Sequence, residues 1–205
     1  MITRPELKND ALRTLRGKWK QPVLATLILS LIGVFTSSSN MIESAIYIAL
    51  GSLVTLLISL NLEYGFAVAL LRFSRGRENT LSETFNAGLV EDYGRVLGIM
   101  LLQVIYVILW MLLLIIPGII KSYSYAMTEF IAEDNPELGP MECIDRSMAM
   151  MKGHKWELFL LDLSYIGWLL LGLLSLGIGL LWIIPWMNMA RVKFYEELKR
   201  ETATA

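Results

Sequence analysis

The sequence predicts an all-α, polytopic membrane protein: about six transmembrane helices in three hairpins, each hairpin preceded by an amphipathic helix on the cytoplasmic surface. Three observations predict it. The chain is 55% hydrophobic, with a mean hydropathy of +0.54, above an ordinary soluble domain. The apolar residues gather into six stretches. The bases fall in alternate gaps between these stretches: six in the head (Arg4, Lys8, Arg13, Arg16, Lys18, Lys20), four from Arg72 to Arg95, three from Arg146 to Lys155 and four in the tail (Arg191, Lys193, Lys199, Arg200), with Lys121 alone elsewhere. That is the positive-inside pattern of an inner-membrane protein with both termini in the cytoplasm.

The first segment, Thr3–Arg16, sets Leu7, Ala11, Leu12, Leu15 and Trp19 on one stripe with bases opposite, the pattern of a helix lying in the inner leaflet. Thr3-x-x-Glu6 is a capping box, and Gly17 suits a left-handed helix end. The early bases and acids, with no apolar stretch before a cleavage site, argue against a signal peptide, so the first span, Gln21–Phe35, is expected to stay in the membrane. Ser37-Ser38-Ser39-Asn40 reads as an external turn, and Ser44–Leu71 as the returning span.

The second unit opens with Thr80–Tyr93. Leu81, Phe85, Leu89 and Tyr93 share a stripe, Thr80-x-x-Glu83 is a second capping box, and Gly94 follows. Val96–Ile116 and Gly118–Ile131 are the next spans, with Pro117-Gly118 as the external turn; Arg95 and Arg146 then share one side. In the third unit, Pro140–Lys152 sets Met141, Ile144, Met148 and Met151 on one face, and Gly153 precedes the spans Trp156–Leu173 and Ser175–Met189. Pro185 should free the carbonyl of Leu181. Several spans fall short of the roughly 20 residues a crossing needs. Either flanking polar residues snorkel, or some pairs form re-entrant hairpins shielded by protein.

One membrane domain, 1–205, is expected, built as a possible three-fold repetition over 3–71, 80–132 and 140–197. The first and third units share strings: Gly17-Lys18-Trp19-Lys20 against Gly153-His154-Lys155-Trp156, and Leu29-Ser30-x-Ile32-Gly33 against Leu163-Ser164-x-Ile166-Gly167. Trp19, Tyr93, Trp156, Trp186 and Tyr195 fall near the expected inner boundaries, as an aromatic belt does.

The ionisable residues inside apolar stretches are Glu63, Lys121, Glu129 and Asp162. A charge in hydrocarbon is costly, so each needs a reason. Glu63, Glu129, Asp162 and Asn188 form a candidate intramembrane polar site, with Gln103 at similar depth. They line a polar vestibule, or they pair with Arg72, Arg95, Arg191 or Lys193 as glue between helices. Arg13, Arg16, Lys18, Lys20, Lys152 and Lys155 are candidate lipid-facing bases for anionic headgroups. The bilayer is thus the expected partner, and a net charge of -1 argues against nucleic acid. The single Cys143 and the single His154 leave no metal cluster, no cofactor motif is present, and no nucleophile–base pair can be assembled.

The C-terminal third resembles a known family. The residues are Glu133-Asp134-Asn135-Pro136, Ser147, Met151-Lys152-Gly153-His154-Lys155, Leu160-Leu161-Asp162-Leu163-Ser164-Tyr165-Ile166-Gly167-Trp168, Gly177-Ile178-Gly179, Pro185 and Phe194-Tyr195. They resemble the bacterial membrane-protein family called domain of unknown function 975, with Tyr165 and Trp186 where that family usually has Phe and Tyr. The resemblance implies a bacterial cytoplasmic-membrane protein and brings no reaction with it. The expected function is non-enzymatic, membrane organisation or partner docking, with a small-solute or ion transporter as the alternative. Acids converging on a hydrated cavity favour transport; acids dispersed among separate helix contacts favour organisation.

Overall fold

The computed structural model describes residues 3–37, 45–77 and 80–204; the expected external turn falls mainly on 38–44, outside them. Every element is helical, with no strand among the described residues. The helices are α1 (Arg4–Leu15), α2 (Lys20–Ser37), α3 (Ala45–Ser74), α4 (Thr80–Phe85), a π turn (Asn86–Val90), α5 (Tyr93–Leu113), α6 (Ile115–Ser124), α7 (Thr128–Asp134), α8 (Pro140–Met150), α9 (Lys155–Leu163), α10 (Ile166–Leu174) and α11 (Leu180–Thr204). Three stretches are long and apolar enough to cross a membrane: Gly51–Ser74, Tyr93–Leu113 and Lys155–Leu174.

One end of the bundle is packed and the other is bare. Val68, Leu70 and Leu71 of α3 are buried with Leu15, Ile99, Met127, Met151, Leu158, Leu161, Phe194 and Tyr195. At the far end Leu112, Leu113, Leu174 and Leu176 stand exposed, Leu176 by 93%. An apolar surface of this extent has no place in water and calls for lipid or a partner.

α1 starts as expected. The Thr3 amide donates to a Glu6 carboxylate oxygen at 2.7 Å, and Gly17 is left-handed with φ +79°. Its stripe of Leu7, Ala11 and Leu15, however, is buried in the protein core against α11. Burial in lipid is corrected for this helix, because α11 supplies the apolar partner.

The second segment departs further. It stops at Val90 after a π turn, and Asp92, at φ 45°, makes the corner; Gly94 lies inside the first turn of α5 and caps nothing. The face turned to the core is Thr80, Thr84, Ala87 and Gly88, not the Leu81–Tyr93 stripe. A methyl on Gly65 would strike the Thr84 carbonyl, and one on Gly88 the Asn61 carbonyl. Two glycines thus let the backbones of α3 and this segment touch, as small residues do between membrane helices. The second capping box is absent too: α4 already includes Thr80, and Glu83 goes to Arg72 at 2.6 Å.

The hairpin of α5 and α6 turns at Leu114, whose backbone is extended (φ -161°, ψ 137°), three residues before the expected Pro117-Gly118. Pro117 is absorbed into the first turn of α6, where a missing N–H costs nothing. Gly118 faces Met111, where a methyl would overlap the Met111 side chain.

Two of the expected spans are broken. Residues 125–127 interrupt 115–134, and Ser147 of α8 repairs the gap: its hydroxyl donates to the Ser124 carbonyl at 2.9 Å and accepts from the Met127 amide at 3.1 Å. Ser164 and Tyr165 interrupt 155–174, where the Lys8 ammonium donates to the Ser164 carbonyl at 3.1 Å. α8 carries a half-box of its own, the Gly139 amide on Glu142 at 2.9 Å, and Gly153 is left-handed with φ +94°. Its buried residues are Cys143, Ile144, Ser147 and Met151, while Met141 is exposed. Leu176 and Gly177, both at positive φ, turn α10 into α11. α11 begins later than Ser175 and runs on to Thr204, with Pro185 inside it.

Candidate functional site

The polar residues of the apolar stretches converge. A cavity of about 510 Å³, within the range of ligand pockets, opens between α2, α3, α5, α6, α7, α9 and α11. Glu63 of α3, Glu129 of α7, Asp162 of α9 and Asn188 of α11 all line it. Gln103 reaches in from α5, Ser122 and Tyr123 from the end of α6, and Arg191 from α11. Leu29, Phe66, Phe130 and Leu158 give the wall its apolar part.

Three polar arrangements share this space. The Asp162 carboxylate is held bidentately by Arg191, with Nη2 at 2.7 Å and Nε at 3.2 Å, and accepts a third bond from the Tyr123 hydroxyl at 3.3 Å. Tyr123 is set by the edge of its ring against Phe159, with centroids 5.8 Å apart. Glu63 stands exposed in the cavity, and Glu129 feels the charges of both Glu63 and Arg191. The Gln103 side-chain oxygen is buried without a hydrogen-bond partner among the described residues. Asn188 donates to the Ile184 carbonyl of its own helix at 3.0 Å. Asp162 and Arg191 balance each other, which leaves Glu63 and Glu129 as the acids beyond that pair, a setting that suits a cation. The acids do not group as a metal-ligating set among the described residues.

The other bases offered as partners for these acids go elsewhere. Arg72 binds Glu83, Glu91 and Glu133 at 2.6, 2.7 and 2.7 Å. Arg95 donates to the carbonyls of Ala132, Asn135 and Leu138, and Lys193 pairs with Asp10 at 3.7 Å. Asp134 gathers Arg75, Lys199 and the Tyr195 hydroxyl. Burial alone would raise the Asp134 carboxyl, but these three partners bring it down to about 2. The Glu133-Asp134-Asn135 string is therefore the hub of an ionic network. The network also marks a depth: Glu63 lies nine residues before Arg72, about 13 Å along α3.

The candidate lipid-facing bases are dispersed. Arg13, Arg16, Lys18 and Lys20 are exposed around the α1–α2 junction; Lys152 is exposed and Lys155 half-buried at the α8–α9 junction. His154 is a paired loop residue, with Nδ1 3.2 Å from Glu157. Cys143 is buried beside Arg95, and burial pushes its thiol pKa up. Arg191 and Tyr123 carry roles in the cavity that spacing alone does not assign. Arg191 lies 29 residues from Asp162, and only the packing of α9 on α11 joins them.

A family model described as protein of unknown function (DUF975) matches residues 1–117 and 95–202. No curated protein and no solved structure matches the chain.

Proposed function

The chain belongs to the protein family of unknown function DUF975, and on that premise we propose that it is a small-cation transporter of the bacterial inner membrane, with Glu63, Glu129 and Asp162 as its binding carboxylates. The single observation that carries the reading is their convergence, with Asn188, Gln103 and Arg191, on one cavity of about 510 Å³. Asp162 ties α9 to α11 through Arg191, but Glu63 and Glu129 make no such pair among the described residues, and their place in the shared cavity favours transport over organisation or docking.

The topology that serves this function has six crossings in three hairpins: α2 with α3, α5 with α6–α7, and α9–α10 with α11. They form one membrane domain with both termini cytoplasmic, as the alternation of bases requires. With the ionic network at the inner boundary, a site about 13 Å along α3 lies near the middle of a hydrocarbon core about 30 Å thick. Two of the crossings are discontinuous beside the cavity: α6–α7 breaks next to Tyr123, and α9–α10 breaks just after Asp162. Broken helices at the midplane let backbone carbonyls and side chains meet an ion that continuous helices would exclude. Arg191 neutralises Asp162 when no substrate cation is present, so the empty site does not leave that charge unpaired. The reading is non-enzymatic.

The test is uptake into vesicles reconstituted with the purified chain, driven by a cation or proton gradient. Glu63→Gln, Glu129→Gln and Asp162→Asn should each abolish uptake while the protein stays folded by circular dichroism. Gradient-independent vesicles, or uptake that survives all three changes, would return the reading to membrane organisation.

A further inference from the structure

We infer that the outer face of α1, with the trough beside it, is a binding site for one anionic phospholipid. Acids and bases of this helix differ in their pairing. Its acids are occupied: Glu6 closes the N-terminal cap, and Asp10 pairs with Lys193 at 3.7 Å. Arg4, Arg13 and Arg16 are exposed and make no ion pair among the described residues, in contrast to the bases at the ionic network. Lys8 is fixed in place, with its ammonium 4.3 Å from the centre of the Tyr165 ring and 3.1 Å from the Ser164 carbonyl.

Two hollows adjoin this face. One, of about 500 Å³, is lined by Arg4, Lys8, Leu12, Trp168 and Trp186 among others. The second, of about 410 Å³, is lined by Arg13, Arg16 and Trp19. Asn9 and Leu12 line both, so the hollows are neighbours. The result is a trough with a basic rim and an aromatic floor. Trp168 and Trp186 meet edge to face with centroids 5.5 Å apart, and the Trp186 ring N–H is anchored on the Lys8 carbonyl at 3.0 Å. A phosphodiester is the anion that guanidinium forks hold bidentately. An acyl chain is the apolar group that covers a half-exposed Trp168 and Leu12. A soluble anion matches the rim and leaves the floor bare; a zwitterionic lipid matches the floor and leaves the bases uncompensated. An anionic phospholipid satisfies both.

The site is independent of the transport cavity and is tested on the delipidated protein in detergent, by native mass spectrometry with phosphatidylglycerol, phosphatidylcholine and inorganic phosphate as separate probes. The expected result is one phosphatidylglycerol per chain, with phosphatidylcholine and phosphate failing to displace it. Each near-surface base contributes about a fivefold gain in affinity, so the Arg4→Gln/Arg13→Gln double variant should bind about 25-fold more weakly. Both residues are exposed, and an unchanged melting temperature would confirm that the variant is folded. Trp168→Ala should weaken the lipid without creating affinity for phosphate. Equal retention of phosphatidylcholine, an unaltered affinity in the double variant, or displacement by inorganic phosphate would each overturn the assignment, the last by showing a free-anion site. Asp162→Asn should leave lipid binding as it is.

Discussion

Replacing Arg72 with Gln should destabilise the protein more than any other single charge removal. The Arg72 side chain is 11% exposed and binds three carboxylates from three elements. Without it Glu133, about one-fifth exposed, loses its cation, and Glu83 keeps only the looser pair with Arg77 at 3.5 Å. Breaking a buried pair by removing one partner costs roughly 3–5 kcal/mol. Glu91 is 52% exposed and turns to water, so its share is under about 1 kcal/mol. The low end, about 3 kcal/mol, is therefore expected. For a chain of this size that is a fall of about 6–12 °C in melting temperature, read by thermal unfolding in detergent. Arg72→Lys should fall between wild type and Arg72→Gln, because an ammonium cannot fork to three acceptors. Arg72→Gln/Glu133→Gln should lose less than the sum of the single changes, since each removes the same pair. A melting temperature for Arg72→Gln within 2 °C of wild type would refute the reasoning, and with it the claim that this network clamps α3 to α7.

Ser147→Ala should cost about 1–3 kcal/mol, and hydrogen exchange at the Met127 amide should accelerate; an unchanged exchange rate would mean that the break between α6 and α7 is held by something else. Asp134 has a folded pKa of about 2 against an ordinary 3.8, so its contribution to stability is present above about 3.8 and lost as pH falls from there to about 2. Melting temperatures measured down through that window should drop for the wild type and stay flatter for Asp134→Asn; parallel curves would count against the ionic assignment. On a Cys143→Ser background, an impermeant thiol reagent on intact cells should label Ser38→Cys and leave Thr202→Cys untouched. Labelling of Thr202→Cys in sealed cells would overturn the proposed topology.

Hydropathy and charge alternation were enough to read an all-helical chain and to single out Glu63, Glu129, Asp162 and Asn188 as polar residues in apolar stretches, because both signals are local. What they missed is set by distant partners. Nothing around Leu114 marks it as a corner: an ordinary leucine takes an extended backbone there because Gly118 lets α6 close on Met111 of α5. The breaks after Ser124 and at Ser164 are held by Ser147 and Lys8, 23 and 156 residues away. The large apolar stripe of the second segment is not turned to the core, which is compatible with the expected surface helix. In water the large apolar stripe turns inward; between membrane helices the small residues do. Leu81, Phe85 and Leu89 are only half-buried while Thr84, Ala87 and Gly88 meet α3. α1 follows the rule for soluble helices because α11 lies beneath it. The Thr80-x-x-Glu83 pattern failed because Arg72 outcompetes a cap for the same carboxylate.

The distribution of charge then separates the parts of the molecule that hold it together from the parts that act. Where α3, α7 and α11 meet, bases are matched to acids: Arg72 to three carboxylates, Arg75 and Lys199 to Asp134. A network satisfied in this way is rigid and gains nothing from a ligand. In two places the matching stops. The cavity holds Glu63 and Glu129 beyond the Asp162–Arg191 pair, and α1 has exposed arginines in no ion pair among the described residues. Mismatched charge lowers stability unless something arrives to balance it, so it persists where a ligand does so. The proposed cation would balance the first and the proposed anionic headgroup the second. The two deficits have opposite sign, one in the cavity near the middle of the bundle and one on its surface, so a single kind of ion cannot serve both.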